Sequence, residues 1–262
     1  MTTTSLSVGP IQHYVQGNSW FDLAKYQNLG KVNRVSVNLS ASNLWLIDAS
    51  KLSLVNDYAP RIAFINESAA NKNPVRLTAQ GQTLQTATVF SDLSGVNSAL
   101  SSKDAPLSMG DWVQTSTIQG GTKLDFSVTP NGVNNPNARS LSTNPRLNAI
   151  SKFNPDAPVY WTAYADPKAD RIILAYEDNT NWGSDNDYND GVIALDLGAA
   201  SFRNIFQNYN YGQNPNISLK SAKYVSVPFE LHSTLGVVVA IAIVAQKWFF
   251  QRKKLQSKPL MV

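Results

Sequence analysis

Short apolar segments of period two punctuate this chain, and that punctuation limits what it can fold into. RVSVNLS, beginning at Arg34, alternates Val35, Val37 and Leu39 with polar neighbours. KLSLVND and RIAFINE repeat the pattern with Leu52, Leu54, Ile62 and Phe64. Alternation sends successive side chains to opposite faces of an extended backbone, so each segment reads as a strand. PVRLTA, TATVFSD, DWVQTSTI, TKLDFSV, VYWTAYA, RIILAYE and GVIALDLG extend the series to residue 198, separated by Gly, Asn, Pro and Ser clusters such as TPNGVNNPNARS. Spacing of this kind predicts an all-β fold, an antiparallel β-sandwich of jelly-roll-like type, and no segment before residue 230 shows a convincing helical period. At 262 residues and 43% apolar, the chain can bury a sizeable core in one main domain. The expected organisation is a polar N-terminal extension over 1–33, the sandwich over 34–215, a linker over 216–230, a transmembrane helix over 231–250 and a basic tail over 251–262. Within the extension, Trp20, Phe21 and Leu23 are the first expected core contacts.

The C-terminal segment differs in kind. In VPFELHSTLGVVVAIAIVAQKWFFQRKK, Leu235 to Ala245 is unbroken apolar sequence, and Leu231 to Phe250 is long enough to span a bilayer. Lys247 stands near enough to the end to snorkel, Trp248 fits an interfacial anchor, and Arg252, Lys253 and Lys254 would face the cytoplasm. A soluble helix has no use for apolar residues on every face. The opening MTTTSLSVGPIQHY has neither the basic start nor the apolar run of a secretory signal, so export is expected to need a start further upstream.

The formal charge of +4 comes from this tail. Five of the 22 basic residues lie beyond Ala245, where there are no acids, which leaves 17 basic against 18 acidic residues in the body. The sequence therefore offers no basic surface for nucleic acid. The absence of cysteine excludes disulfides and thiolate chemistry. With only His13 and His232, a histidine triad or a zinc cage has almost nothing to draw on.

The remaining chemistry is concentrated in YEDNTNWGSDNDYNDG, between the segments RIILAYE and GVIALDLG. Glu177, Asp178, Asp185, Asp187 and Asp190 place five carboxylates in fourteen residues, and Asn179, Asn186 and Asn189 add neutral carbonyl oxygens. Carboxylates held this close repel one another unless some protonate or a cation joins them. Calcium takes six to eight oxygen ligands in flexible geometry, which suits a loop; magnesium keeps more water, and zinc wants nitrogen or sulfur. The competing reading is a polar turn held by Asx hydrogen bonds. Asp185, Asp187 and Asn189, with Asp196 at the twelfth position, imitate EF-hand spacing, but Gly191 falls one place late and strands replace the flanking helices. A glycosidase acid and nucleophile would need two carboxylates in a cleft with separated pKa values, whereas these crowd one loop. Trp20, Trp45, Trp112, Trp161 and Trp182 could stack on sugars, but in a sandwich they are more often core.

The stretch YEDNTNWGSDNDYNDGVIALDLG resembles the C-terminal signature of the domain-of-unknown-function family 4114, in which Glu-Asp, a gap and Ser-Asp-x-Asp-Tyr-Asn-Asp lie between two strands. DASKLSLVNDY and RIAFINESA (48–69) resemble the family's entering strands, and GGTKLDF (120–126) another, so the likeness covers about 45–200. It implies a β-sandwich of bacterial surface proteins with a calcium-binding loop formed by Glu177, Asp178, Asp185, Asp187 and Asp190. Two departures stand out: AANKNPV replaces a Gly-Tyr-Arg-Asn segment, and Gly191 stands where a valine often begins the exit strand. VPFELHSTLG with its apolar run and QRKK is similar to the Pro-Phe-Glu variant of PEP-CTERM sorting tails of cyanobacterial type. That likeness implies recognition of Val227, Pro228, Phe229 and Glu230 by an exosortase-like membrane enzyme. The expected function is a non-enzymatic, calcium-binding envelope or matrix surface domain, sorted or anchored by its tail. Contact with surface polysaccharide as an adhesion module is the alternative, and an envelope hydrolase stands behind both.

Overall fold

The computed structural model describes residues 3–29, 43–96, 105–148, 159–179 and 187–212, all within one compact unit that runs from Met1 to Tyr224. The expected strand at 34–40, Asp185, Trp182, the sorting motif Val227–Glu230, the membrane span and Lys247, Arg252, Lys253 and Lys254 lie outside the described residues. Among the described residues no helix is long and apolar enough to cross a membrane.

The structure is mostly β, with two sheets packed face to face. The first has five strands in the order β1 (Thr3–Ser5), β5 (Leu84–Phe90), β4 (Val75–Gln80), β7 (Lys123–Val128) and β8 (Leu141–Ser142). The second has seven, in the order β12 (Asn210–Gly212), β2 (Trp45–Ile47), β9 (Trp161–Asp166), β10 (Arg171–Tyr176), β11 (Gly191–Asp196), β3 (Arg61–Asn66) and β6 (Trp112–Gln114). All pairings are antiparallel except β1 with β5.

Period two explains the five-stranded sheet directly. In β4 the residues Val75, Leu77 and Ala79 are buried, while Arg76 and Gln80 are exposed and Thr78 is half-buried. The seven-stranded sheet is different, because β9, β10 and β11 are buried on both faces. Leu174, Tyr176, Ile193 and Phe64 face the five-stranded sheet and meet Leu77 and Phe126. Ile173, Ala175, Val192, Ala194 and Ile65 face the other way and are covered by Phe21, Tyr26 and Leu29. Continuous apolar runs such as RIILAY are what a doubly covered strand requires.

The N-terminal residues supply that cover. After β1, Leu6 enters the core between the sheets, Val8 and Gln12 bridge to Thr115 and Trp112, and the chain then crosses the outer face. Asp22 caps the short helix α1 (Leu23–Tyr26) by accepting from the Ala24 amide, which directs Tyr26 inward. The Tyr26 hydroxyl donates to Asp166 at 2.5 Å, and Arg171 donates to the Trp20 carbonyl at 2.6 Å. Phe21 is buried, and Trp20 and Leu23 are half-buried, so all three contribute to the cover.

One sequence expectation is overturned. Helix α2 (Ala199–Tyr209) follows β11, although no helix is expected before residue 230. Phe202, Ile205, Phe206 and Tyr209 recur at helical spacing, and Phe202 and Ile205 are buried in the core. Burying those two side chains contributes roughly 1.5–3 kcal/mol each, which outweighs the weak helix propensity of the Asn- and Ser-rich sequence around them.

Three buried tyrosines make the fold sensitive to alkali. Burial raises the Tyr164 hydroxyl to about 12 and holds Tyr26 and Tyr176 well above their ordinary values; Asp166 adds to the rise at Tyr26. Protons are thus held more tightly in the folded state, so this stabilisation is complete below pH ~10 and is lost as pH rises toward the folded values. Ultraviolet tyrosinate absorbance and circular dichroism should change together in a cooperative transition above pH ~10. Tyrosine ionisation with the circular dichroism unchanged would contradict this.

Candidate metal centre

The acidic loop begins at the last cross-strand pair of the β10–β11 hairpin, where Tyr176 lies opposite Gly191. The Asp190 amide donates to the Tyr176 carbonyl at 3.1 Å, and the Asp178 amide donates to Asp190 Oδ2 at 2.7 Å. These two bonds close the neck and bring Glu177, Asp178 and Asp190 to one end of the hairpin. Asp187 enters through an Asx turn: its carboxylate accepts from the Asn189 amide at 3.2 Å and from Asn189 Nδ2 at 2.6 Å. Tyr188 between them has a φ of 55°, in the left-handed region, and its hydroxyl is pinned to the Val159 carbonyl at 2.9 Å. Glu177, Asp178 and Asp187 are all buried, and Asp190 is half-buried.

Long-range pairing adds residues that local sequence does not suggest. Strand β3 runs antiparallel to β11, with Asn66 opposite Val192, so the end of β3 lies beside the neck of the loop. The Ser68 amide donates to the Asn189 carbonyl at 3.2 Å, and the Ser68 hydroxyl contacts Asn189 Oδ1. Glu67 is buried there with 1% of its surface exposed, and its charge acts on Tyr176. Asn71 and Asn73 donate to the two Asp178 oxygens at 3.1 and 2.6 Å. Glu67 belongs to the Asn-Glu motif already compared with the family, and the motif is the one local signal for it. Asn73 carries no such signal.

Asn73 is a clamp. It is wholly buried; Nδ2 holds Asp178 while Oδ1 accepts from the Asn131 amide at 2.8 Å, in a turn that leads away from β7. Asn73→Ala should cost about 2–3 kcal/mol in urea unfolding, because it removes the donor to one oxygen of a buried carboxylate, leaving only Asn71 on the other, and takes the acceptor from a backbone amide. Asn71→Ala, at a half-buried position, should cost less than half as much. Equal losses at the two positions would refute the clamp.

Electrostatics distinguish Asp178 and Asp190 from the buried Asp196. Burial, helped by the charges of Asp178, Glu177 and Asp187, pushes Asp190 up to about 9. Burial raises Asp178 as well, against the opposing hydrogen bonds from Asn73 and Asn71. Asp196, at the far end of β11, behaves in the opposite way. Burial pushes it up, but the Gly198 amide and the Arg61 and Arg171 guanidiniums more than offset that, leaving it below the ordinary carboxylate range. Asp196 is thus an ion-paired structural residue, not the twelfth ligand of an EF-hand.

The donor chemistry fits a hard cation. Glu177, Asp178, Asp187 and Asp190 offer carboxylate oxygens at the neck, Asn71 and Asn73 turn their amide nitrogens to Asp178, and His13 is engaged elsewhere, with Nδ1 2.9 Å from Asp111. Among the described residues no three acidic or histidine side chains converge as a ready metal-holding group, and the middle of the loop, 180–186, is not among them. Of the five expected ligands, the structure brings Glu177, Asp178, Asp187 and Asp190 to the neck of one hairpin, and Asp185 lies outside the described residues.

The described tryptophans occupy packed positions. Trp161 is buried and donates to the Leu141 carbonyl at 2.8 Å; Trp45 meets Phe206 edge-on, and Trp112 meets Trp20 edge-on. Among the described residues no row of exposed tryptophans is present.

Residues 118–198 match the family model described as Domain of unknown function (DUF4114), the family that the acidic motif resembles. The match takes in β7, β9, the acidic hairpin and β11, while the stretch 48–69 lies outside it. No curated protein and no solved structure matches the chain.

Proposed function

We propose that this chain is a non-enzymatic, jelly-roll-like β-sandwich module whose β10–β11 loop binds calcium, displayed at a cell envelope through its C-terminal tail. One observation carries the metal half of the reading: buried carboxylates gather at the neck of the hairpin, and the charges acting most strongly on Asp190 are those of Asp178, Glu177 and Asp187, all acidic. Glu177, Asp178, Asp185, Asp187 and Asp190 would supply oxygen ligands, with Glu67, the residue after β3, as a further carboxylate. A bound cation would neutralise the loop and tie β3, β10 and β11 together, so binding and folding would be linked. The envelope half rests on sequence: Val227–Glu230 as a motif for an exosortase-like enzyme, Leu231–Phe250 as a membrane helix, and Lys247, Arg252, Lys253 and Lys254 as its cytoplasmic flank.

Isothermal titration of the full chain with calcium should give saturable heat that magnesium does not reproduce, and Asp187→Ala should abolish it. Absence of heat from the unsubstituted chain would end the calcium reading. Replacing Pro228, Phe229 and Glu230 together should change membrane fractionation, and unchanged fractionation would remove the sorting reading.

A further inference from the structure

The N-terminal cover of the seven-stranded sheet contains a cleft of about 510 Å³, lined by Tyr14, Gln16, Ser19, Trp20, Phe21 and Asp22 together with Ala169 and Arg171. Its size falls within the range of small-molecule sites, and it is a shallow groove broadly open to solvent. The walls are fixed in place. Tyr14 and Trp20 each pack against Phe21, at ring separations of 5.4 and 4.6 Å, and both the Arg61 and Arg171 guanidiniums lie 5.2 Å from the Trp20 ring. The rim is a closed turn: the Ser19 hydroxyl bonds both the Val15 amide and the Val15 carbonyl, and the Asn18 amide donates to that same carbonyl. A φ of 76° at Gly17 permits the reversal.

The chemistry of the lining narrows the ligand. Arg171 is already committed, because it donates to the carbonyls of Trp20 and Asp170 and lies 3.5 Å from Asp196, so the cleft is not an anion receptor. Gln16 is exposed, and its carboxamide bonds no other described residue; Asp22 uses one oxygen to cap α1. A carboxamide and a carboxylate beside a half-buried tyrosine match the needs of a pyranose ring, which offers an apolar face for stacking and vicinal hydroxyls for bidentate hydrogen bonds.

We propose that this cleft is a saccharide subsite: the sugar face packs on Tyr14, and its hydroxyls bond Gln16 and Asp22. The site is independent of the acidic loop, so it stands or falls apart from the calcium reading.

The test is an NMR titration of the isotope-labelled full chain with maltose, cellobiose and lactose, and with tetramethylammonium chloride as a cationic probe. At least one disaccharide should shift the amides of Gln16, Gly17, Ser19, Asp22 and Ala169 in a saturable way. Tyr14→Ala should weaken that binding about tenfold. Gln16→Ala removes only an exposed, uncommitted side chain; it should weaken binding several-fold with an unchanged unfolding temperature, and it decides the matter if Tyr14→Ala fails to fold. No shift with any disaccharide, shifts only outside the cleft, shifts with tetramethylammonium alone, or unaltered affinity in Gln16→Ala would overturn the proposal.

Discussion

Gly191→Ala destabilises the protein by about 3 kcal/mol, at the upper end of what overpacking a core costs, and Gly191→Val costs more. A Cβ on residue 191 would stand 2.4 Å from two ring carbons and the hydroxyl oxygen of Tyr176, closer than any real contact allows. The ring cannot retreat, because Tyr176 is wholly buried and stacks at a tilt on Trp161 with centroids 4.9 Å apart. Its hydroxyl also lies 3.4 Å from Asn73 Nδ2, so a displaced ring would disturb the clamp on Asp178. The glycine at the start of the exit strand thus has a cause in this chain: the cross-strand partner occupies the space. Because the clash is pairwise, Gly191→Ala should cost less in a Tyr176→Leu background, and urea unfolding of the four proteins measures the coupling. Strict additivity would show that the ring is not the obstacle.

Asp190→Asn acts in the opposite direction. In metal-free protein it should stabilise the fold by about 1–2 kcal/mol while weakening the response to calcium. Burial and three neighbouring acids hold Asp190 up at about 9, against an ordinary value of 3.8. A carboxyl raised in the folded state contributes stability that is complete below pH ~4 and lost as pH rises toward ~9, so at neutral pH it works against folding. The amide keeps the geometry, because its oxygen can still accept from the Asp178 amide, and it removes the charge. A substitution that stabilises the metal-free protein and yet costs metal response is the signature of a charged binding site, and an ordinary Asx turn would lose stability in both conditions. Unfolding temperatures of the two proteins in chelator, compared with those in calcium, give both quantities.

Much of the fold was legible because its strands carry their own pattern. The segments of β3, β4, β7, β9, β10 and β11 appear where alternation or continuous apolar sequence places them. KLSLVND has the right periodicity and the wrong extent. Leu52 and Leu54 are both buried and bond to the start of β7 through the Leu124 and Leu54 amides, but Ser53 makes only an isolated bridge. Strands β2, β8 and β12 are two or three residues long, too short for any period to register. In α2 the helical spacing of Phe202, Ile205, Phe206 and Tyr209 is present, but Asn, Ser and Gln between them weaken the local preference, and burial against the core decides.

The site divides along the same line. Its acids are contiguous, so composition alone exposes them. Glu67 and Asn73 reach the loop from more than a hundred residues away, Glu67 through the register of β3 on β11 and Asn73 from the turn before β4, and no local pattern encodes that approach.

The unfolding temperature of the full chain in saturating calcium, set against the same protein in chelator, tests the central claim most directly. At a free calcium concentration about a hundredfold above the dissociation constant, linkage gives about 2.7 kcal/mol, or a rise of about 5–10 °C for a domain of this size. That rise, reversed by chelator and absent in Asp187→Ala, is the predicted result. An unfolding temperature that does not move with calcium would reduce the acidic hairpin to a polar turn.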